Sequence, residues 1–237
     1  MYVLAHRGYS GKAPENTMAA FELALEAGAD GLELDVHITK DGEVVVIHDD
    51  TIDRTTNGSG RVEDYTYAEL AEFDAGSWFG AEFKGERLPT LSQVCELIKG
   101  TDKIFNVELK AGANFQALTE KVSEIIKAYD LVPNTIISSF NHYALAYSKQ
   151  VNPNLRTAIL YTAALYAPWE YVKMIGADAL HPKHVTVVPF IVEEAHKHGL
   201  MVNPYTVDEP HDIERMLKAG VDSVITNQVT RVKEFIK

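Results

Sequence analysis

The sequence is poor in cysteine, in positive charge and in long apolar runs. Its 237 residues include a single cysteine, Cys95, which excludes an intramolecular disulfide. There are 22 lysines and arginines against 34 aspartates and glutamates, and the net charge is −12. Nucleic acids and anionic membrane surfaces are therefore disfavoured as main partners, because they carry charge of the same sign. A small anionic substrate remains compatible, provided that its site is locally positive.

The first residues lack the basic start and apolar stretch of a secretory signal, and no run reaches the length of a transmembrane helix. We therefore expect a cytoplasmic protein without stable membrane insertion, either a monomer or a homodimer. With 46% hydrophobic and 24% charged residues, the composition is that of an ordinary globular protein. A chain of this length fits one α/β domain, which we expect to span residues 1–237.

Short apolar runs alternate with amphipathic segments along most of the chain. The predicted strands are Tyr2–Ala5, a run ending at Asp35, Val44–Ile47, Lys103–Leu109, Thr135–Ser139, Arg156–Leu160, Ala177–His181, Leu200–Thr206 and Asp222–Thr226. Helices are predicted between them, for example at Phe115–Tyr129, Pro189–His198 and Asp208–Ala219. This rhythm predicts an α/β TIM (β/α)8 barrel, a parallel barrel with helices outside.

Nine strand candidates compete for the eight positions of such a barrel. Val44–Ile47 is the surplus strand, because no helix fits between it and Asp35. The turn-rich segment from Thr51 to Leu88 follows the strand that ends at His48, and it is longer than an ordinary connection. We expect it to be an inserted segment, either folded onto the barrel or acting as a lid.

The run from Gly31 to Asp50 contains two acidic residues on one predicted strand. Glu33 and Asp35 are two residues apart, so their side chains point to the same face. Two like charges about 4 Å apart repel by roughly 4 kcal/mol at an effective dielectric near 20, so a cation is expected between them. A hairpin turning at Thr39–Gly42 would place His48 opposite Glu33. Alternatively, the two strands form a surface hairpin whose acidic side chains face solvent. The apolar character of both strands disfavours this alternative.

Polar residues also close other predicted strands. The first strand ends in His6 and Arg7, and the strand from Lys103 ends in Glu108-Leu109-Lys110. In a parallel barrel these carboxyl ends share one face. Three carboxylates, two histidines, an arginine and a lysine should therefore converge there.

The charge of this cluster indicates what it binds. Three carboxylates, one arginine and one lysine give the predicted site a net charge of about −1. One bound divalent cation would change this net charge to about +1. Oxygen ligands favour Mg²⁺ or Ca²⁺ over zinc. The positive remainder suits a phosphodiester, whose phosphoryl oxygen the metal would polarise. The two histidines can divide general acid and general base catalysis.

The motifs that carry a resemblance follow one another along the chain. They are His6-Arg7-Gly8, Pro14-Glu15-Asn16-Thr17, Glu33-Leu34-Asp35-Val36, Thr39-Lys40-Asp41-Gly42, His48-Asp49, Arg54-Thr55-Thr56 and Glu108-Leu109-Lys110. This ordered set resembles the glycerophosphodiester phosphodiesterase family, of the phospholipase-C-like superfamily. The second half of the chain matches more loosely, for example through Ser139-Phe140 and Thr226-Asn227.

The resemblance implies a TIM barrel that cleaves glycerophosphodiesters, such as glycerophosphocholine or glycerophosphoethanolamine, to glycerol 3-phosphate and an alcohol. The implied site residues are Glu33, Asp35 and Glu108 on one divalent metal, His6 and His48 as the acid–base pair, and Arg7 and Lys110 on the phosphate. Attack by the glycerol hydroxyl through a cyclic phosphate is a hypothesis that phosphorus NMR of the reaction would test. Direct attack of water in the first step would exclude it.

This sequence departs from the family pattern at two positions. Tyr205 stands where the family often has tryptophan, and Asn227 stands where it has aspartate. Phe140 and Tyr205 each end a strand, and a role as substrate wall or as core aromatic is open for both. Asn16 is expected to support the first βα turn or cap the helix, and His37 to face away from Asp35.

Two other functions are compatible with the same sequence motifs. A lysophospholipase D would use the same barrel on lysophospholipids but needs an apolar groove for an acyl chain. A non-catalytic barrel would bind metal and phosphorylated ligands without turnover, which the complete set of histidines and carboxylates disfavours. Assays of glycerophosphocholine against lysophosphatidylcholine separate the first alternative from the leading hypothesis.

Overall fold

Parallel strands form the centre of the molecule. The structure is a computed structural model that describes residues 1–112 and 115–236. Its strands are β1 (Tyr2–His6), β2 (Gly31–Ile38), β3 (Val44–Val46), β4 (Ile104–Leu109), β5 (Thr135–Ser139), β6 (Arg156–Tyr161), β7 (Ala179–Pro182), β8 (Met201–Val202) and β9 (Ser223–Thr226). Apolar residues on these strands are almost wholly buried, as expected for a parallel sheet covered by helices.

The strands follow the order β8-β7-β6-β5-β4-β2-β1-β9, and β3 pairs antiparallel with β2 alone. Backbone hydrogen bonds from Asp222 N–H to the Val202 carbonyl and from Ile225 N–H to the Pro204 carbonyl, both 3.0 Å, join the two ends of this sheet. The result is a nearly closed barrel of eight parallel strands. The predicted TIM barrel is confirmed, and the strand around Val45 is the surplus one, as expected.

Helices connect most of the strands and cover the outside of the barrel. They are α1 (Met18–Glu26), α2 (Tyr67–Leu70), α3 (Leu91–Ile98), α4 (Phe115–Ala128), α5 (His142–Val151), α6 (Pro168–Ile175), α7 (Pro189–Lys197), α8 (Pro210–Ala219) and α9 (Val229–Ile236). Their ends follow local chemistry: Thr90 and Gln93 form a capping box at the start of α3. Across the described residues, no helix combines the length and the apolar character needed to cross a bilayer.

Two predicted strands differ from the observed ones by more than one residue at an end. The strand predicted at Leu200–Thr206 is regular only over Met201–Val202, because Pro204 has no N–H to donate to the ladder. The strand predicted at Ala177–His181 begins two residues later and ends one residue later, at Ala179–Pro182.

The hairpin of β2 and β3 has a register that differs from the predicted one. Extension of the observed ladder places His48, two residues beyond its end, opposite Leu34 and not opposite Glu33. The connecting turn has three residues, one fewer than expected, and ends at Gly42 with φ of 82°. Glycine adopts this left-handed conformation without strain, which is typical of three-residue hairpin loops. The predicted pairing is therefore wrong by one residue.

The inserted segment, residues 51–88, packs against the outer side of this hairpin through its own apolar cluster. The buried members of the cluster are Val45, Ile47, Ile52, Val62, Leu70, Ala75 and Leu88. Trp78 donates its indole N–H to the Ala75 carbonyl at 2.9 Å, and its side chain stays partly exposed beside Phe79. The segment folds onto the barrel, while its role as a lid and the single-domain organisation stay predictions.

Candidate active site

Side chains from neighbouring strand ends meet at the carboxyl end of the barrel. The ladder between β1 and β2 places His6 beside Glu33, and the ladder between β2 and β4 places Asp35 beside Glu108. The three strands that carry these four side chains, β1, β2 and β4, are parallel. The convergence that strand order predicts is therefore present.

Glu33, Asp35 and Glu108 form a buried group, here called the acidic trio. One carboxylate oxygen from each residue lies within 4.8 Å of the others, and none of the three residues is more than 7% exposed. Burial, and then the neighbouring carboxylates, raise the pKa of Glu33 well above its usual range and that of Glu108 to about 7. Without an added cation, the three charges strongly oppose one another.

Two basic side chains hold Asp35 ionised. Lys110 Nζ lies 3.0 Å from Asp35 Oδ1, and Arg7 Nε lies 3.2 Å from Oδ2. Burial opposes the ionisation of Asp35, but these two cations outweigh burial and hold its pKa below the usual range. Lys110 also donates to Glu108 Oε1 at 2.5 Å. Both residues that the resemblance assigns to phosphate therefore lie against the acidic trio.

The turn between β1 and α1 aims Arg7 and supports Asp35. Arg7, Gly8 and Asn16 all have positive φ, and a Cβ on Gly8 would lie 2.6 Å from the backbone of α1. Asn16 donates its side-chain N–H to Asp35 Oδ2 at 2.9 Å, while Thr17 caps the helix. The expected support of the turn by Asn16 thus extends to a carboxylate of the acidic trio.

The acidic trio fits a hard divalent cation. Its donors are carboxylate oxygens, which are the ligands that such cations prefer. Among the described residues, no hydrogen bond reaches the buried Asp35 Oδ1, although the Lys110 ammonium is within ion-pair distance. A buried acceptor therefore remains for a metal, and the trio can hold one.

His6 is oriented by a residue near the other end of the chain. Its Nδ1 lies 2.7 Å from Asn227 Oδ1, and its Nε2 lies 4.0 Å from Glu33 Oε2. Asn227 donates its own N–H to Asp208 Oδ2 at 2.7 Å, so its oxygen faces His6 and accepts from Nδ1–H. Burial, and then the charge of Arg7, lower the pKa of His6 to about 4. The sequence contains no local signal for this pair, since 221 positions separate its members.

His48 is oriented by its own neighbour. Its Nδ1 lies 2.6 Å from Asp49 Oδ1, so Nε2 is left for the site. Asp49 thereby holds a candidate catalytic residue. The adjacency of histidine and aspartate in the sequence could have indicated this contact, because a carboxylate on Nδ1 is the usual partner of a catalytic histidine.

Phe140 and Tyr205 lie together at the ends of their strands. Their rings meet edge to face with centroids 6.0 Å apart, and Phe140 is 50% exposed. Tyr205 donates its hydroxyl to the Tyr161 carbonyl at 3.2 Å. The exposure of Phe140 shows that it is a surface aromatic and not a core residue. Tyr205 packs against its ring.

Two further histidines, His37 on β2 and His181 on β7, are buried. His37 lies two residues after Asp35 on β2, so the alternation of the strand places both side chains on the same face, and the predicted opposite face is wrong. His37 is buried there, with Nε2 3.2 Å from the His48 carbonyl. His181 is fully buried inside the barrel, where its Nε2 accepts from Asn203 at 3.0 Å. Burial lowers the pKa of His181 to about 3. Both therefore have structural partners.

Fold and site together define a TIM barrel with a metal-competent acidic centre flanked by two oriented histidines. The glycerophosphoryl diester phosphodiesterase family matches residues 6–231, and the chain belongs to this family. It is accordingly a glycerophosphodiester phosphodiesterase.

Relatives and solved structures agree with this assignment. A glycerophosphodiester phosphodiesterase of Caldanaerobacter subterraneus subsp. tengcongensis is 49% identical over 95% of this chain and 93% of its own length. One from Bacillus altitudinis is 38% identical over 99% of both chains. The structure of an Oleispira antarctica phosphodiesterase in complex with the product sn-glycerol-3-phosphate superposes with a TM-score of 0.94. It is 31% identical and covers 100% of this chain and 96% of that one.

Proposed function

We propose that the enzyme uses one divalent cation, Mg²⁺ or Ca²⁺, to hydrolyse glycerophosphodiesters such as glycerophosphocholine and glycerophosphoethanolamine. The products are glycerol 3-phosphate and the headgroup alcohol. The observation that carries this proposal is the buried acidic trio beside two histidines, each held by its own side-chain partner. The product bound to the Oleispira relative supports the same substrate class.

Glu33, Asp35 and Glu108 would hold the cation, which supplies positive charge that polarises a phosphoryl oxygen. Arg7 and Lys110 bring two further positive charges to the same end of the barrel. Charge-assisted hydrogen bonds from these two residues bind and orient the phosphate.

The two histidines have different partners and therefore different roles. The Asp49 carboxylate holds His48 through Nδ1 and leaves Nε2 for the site, so His48 donates a proton from Nε2 to the leaving alcohol oxygen. His6 donates Nδ1–H to a neutral amide, which leaves the lone pair on Nε2 free to accept a proton. The low pKa of His6 keeps it neutral at pH 7, as a general base requires.

Phe140 and Tyr205 form the wall of the binding site in this proposal. The exposed ring of Phe140 offers apolar surface to the glycerol or headgroup carbons. Tyr205 holds that ring from behind through the edge-to-face contact.

The test is a panel of glycerophosphodiesters and lysophosphatidylcholine assayed with each metal, with detection of the released phosphomonoester. We expect glycerol 3-phosphate from the glycerophosphodiesters, loss of activity in EDTA, and restoration by Mg²⁺ or Ca²⁺. His6→Ala and His48→Ala should each lower turnover by about 10²–10⁴-fold. Full activity in either variant, or in EDTA, would contradict the proposal, and a preference for lysophosphatidylcholine would move it to lysophospholipids.

A further inference from the structure

Arg54, near the start of the inserted segment, lies between two carboxylates at the mouth of the barrel. Its Nη1 and Nη2 donate to Glu15 Oε2 and Oε1 at 2.9 and 2.8 Å. Its Nε and Nη2 donate to Asp49 Oδ2 and Oδ1 at 2.7 and 3.1 Å. Each carboxylate is thus held by two parallel hydrogen bonds, a geometry that the planar guanidinium provides and an ammonium does not.

Each of these carboxylates has a second partner in the site. Glu15 Oε1 accepts from Arg7 Nη1 at 2.8 Å. Asp49 Oδ1 lies 2.6 Å from His48 Nδ1. An unbroken chain of contacts therefore runs from the phosphate-binding arginine to the proton-donating histidine, with Arg54 in its middle.

The contacts of Arg54 are poorly explained by stability alone. Its side chain is 44% exposed, and exposed ion pairs contribute little to folding. The hydrogen bond from Arg54 is the main cause that holds the pKa of Asp49 below its usual range. Burial opposes the ionisation of Glu15, and the hydrogen bonds from Arg54 and Arg7 outweigh it, so the pKa of Glu15 is lowered. Both carboxylates therefore stay charged and restrained at neutral pH.

We propose that Arg54 is a positioning residue that restrains His48 and Arg7 at the same time. Through Asp49 it keeps the imidazole turned so that Nε2 faces the leaving group, and through Glu15 it keeps the guanidinium of Arg7 over the phosphate. Four of its five N–H donors are bonded to the two carboxylates, so it acts through them and not on the substrate. The inserted segment thereby contributes to catalysis. This inference rests on the proposed function.

The leaving group provides the first test. Glycerophosphocholine releases an alkyl alcohol that needs a proton, whereas the p-nitrophenyl ester of glycerol phosphate releases a phenolate that does not. Arg54→Ala should lower kcat about 10–100-fold on glycerophosphocholine and only a few-fold on the p-nitrophenyl ester. KM should rise for both substrates, because Arg7 loses its restraint in each case.

Arg61→Ala is the matched control. Arg61 belongs to the same inserted segment and pairs with Glu63 at 2.8 Å on the surface, with its side chain about half exposed. This variant removes the same charge from the same segment and should leave kcat and KM unchanged on both substrates.

Two further measurements separate positioning from a structural role. Arg54→Lys should stay close to Arg54→Ala, since one ammonium cannot hold both carboxylates in the paired geometry. Millimolar guanidinium should restore part of the activity of Arg54→Ala and none of that of His48→Ala.

The outcomes are distinguishable. A wild-type protein inactive on both substrates contradicts the proposed function itself. With an active wild type, three results overturn the inference: unchanged kinetics in Arg54→Ala, an equal loss of kcat on both substrates, or a loss that guanidinium does not restore.

Discussion

Asn227 shows how a single neutral side chain determines what a histidine can do. An amide can present either its oxygen or its nitrogen, and only the oxygen accepts from His6 Nδ1–H. Asp208 selects this orientation because it accepts the amide N–H at 2.7 Å. If the amide turned over, His6 would carry its proton on Nε2 and could no longer act as a base.

Asp208→Ala tests this dependence. The variant frees the Asn227 amide to turn, so we expect kcat to fall about 10–100-fold although Asp208 touches neither metal ligand nor substrate. Two-dimensional ¹H–¹⁵N NMR of the imidazole should show the proton of His6 on Nδ1 in the wild type and a mixture of tautomers in the variant.

The control for this prediction is Asp178→Ala. Asp178 accepts from Thr157 N–H and pairs with Lys149 at the amino end of the barrel. Its removal therefore breaks side-chain contacts similar to those of Asp208, but far from the site. Its kcat should stay at the wild-type value. An unchanged tautomer of His6 in Asp208→Ala would refute the argument.

The β2–β3 hairpin and the inserted segment act as one element. Val45 and Ile47 lie in the same apolar cluster as Ile52 and Leu70, so the chain that carries His48 and the chain that carries Arg54 share a core. The sequence predicts the hairpin from its two apolar runs and the insertion from its length and its turn residues. The predicted register fails because the turn, which ends at a glycine with positive φ, is one residue shorter than expected.

Leu70→Ala tests whether this small core supports the chemistry. Leu70 is fully buried, so its truncation should cost about 2–5 kcal/mol within the cluster. We expect faster hydrogen exchange across residues 51–88 and a lower kcat, because Arg54 loses its support while the barrel stays folded.

Val172→Ala provides the comparison, since Val172 is equally buried but lies on α6 in the main core. It should lower the melting temperature without changing exchange in the inserted segment or kcat. Wild-type kcat in Leu70→Ala, despite faster exchange, would show that the segment does not support catalysis.

For the whole molecule, the acidic trio links stability to pH and to metal. The pKa of Glu108 is about 7 in the folded protein and roughly 4.3 in the unfolded chain, so the folded state binds more protons between these values. Stability from this group is complete below the unfolded pKa and is lost as pH rises through the folded one. His6 and His181, whose pKa values are lowered, act in the opposite sense.

Glu108→Gln isolates the contribution of that carboxyl. In EDTA, the melting temperature of the variant relative to the wild type should rise as pH increases from about 5 to about 8, because only the wild type has the Glu108 carboxyl to ionise. Added Ca²⁺ should stabilise the wild type at pH 8 more than the variant, which lacks one oxygen charge.

Glu96→Gln removes the same charge from an exposed position on α3 and should show a difference from the wild type that does not vary with pH. A pH-independent difference for Glu108→Gln, or equal stabilisation of both proteins by Ca²⁺, would disprove the link between the trio and the metal.

The order of strands and helices and the polar residues at strand ends follow from local patterns in the sequence. Alternation with a period of two places Glu33 and Asp35 on one face whatever the rest of the chain does. The barrel then brings Glu108 to them, because parallel strands expose their carboxyl ends together.

The partners that orient the site belong to the folded molecule alone. His6 meets Asn227 across 221 positions, and Arg54 meets Glu15 across 39. Such contacts depend on barrel closure, on strand register and on how the inserted segment packs, none of which a local pattern records. Sequence periodicity therefore specified which groups do the chemistry, whereas backbone pairing and packing specified which neighbour holds each of them.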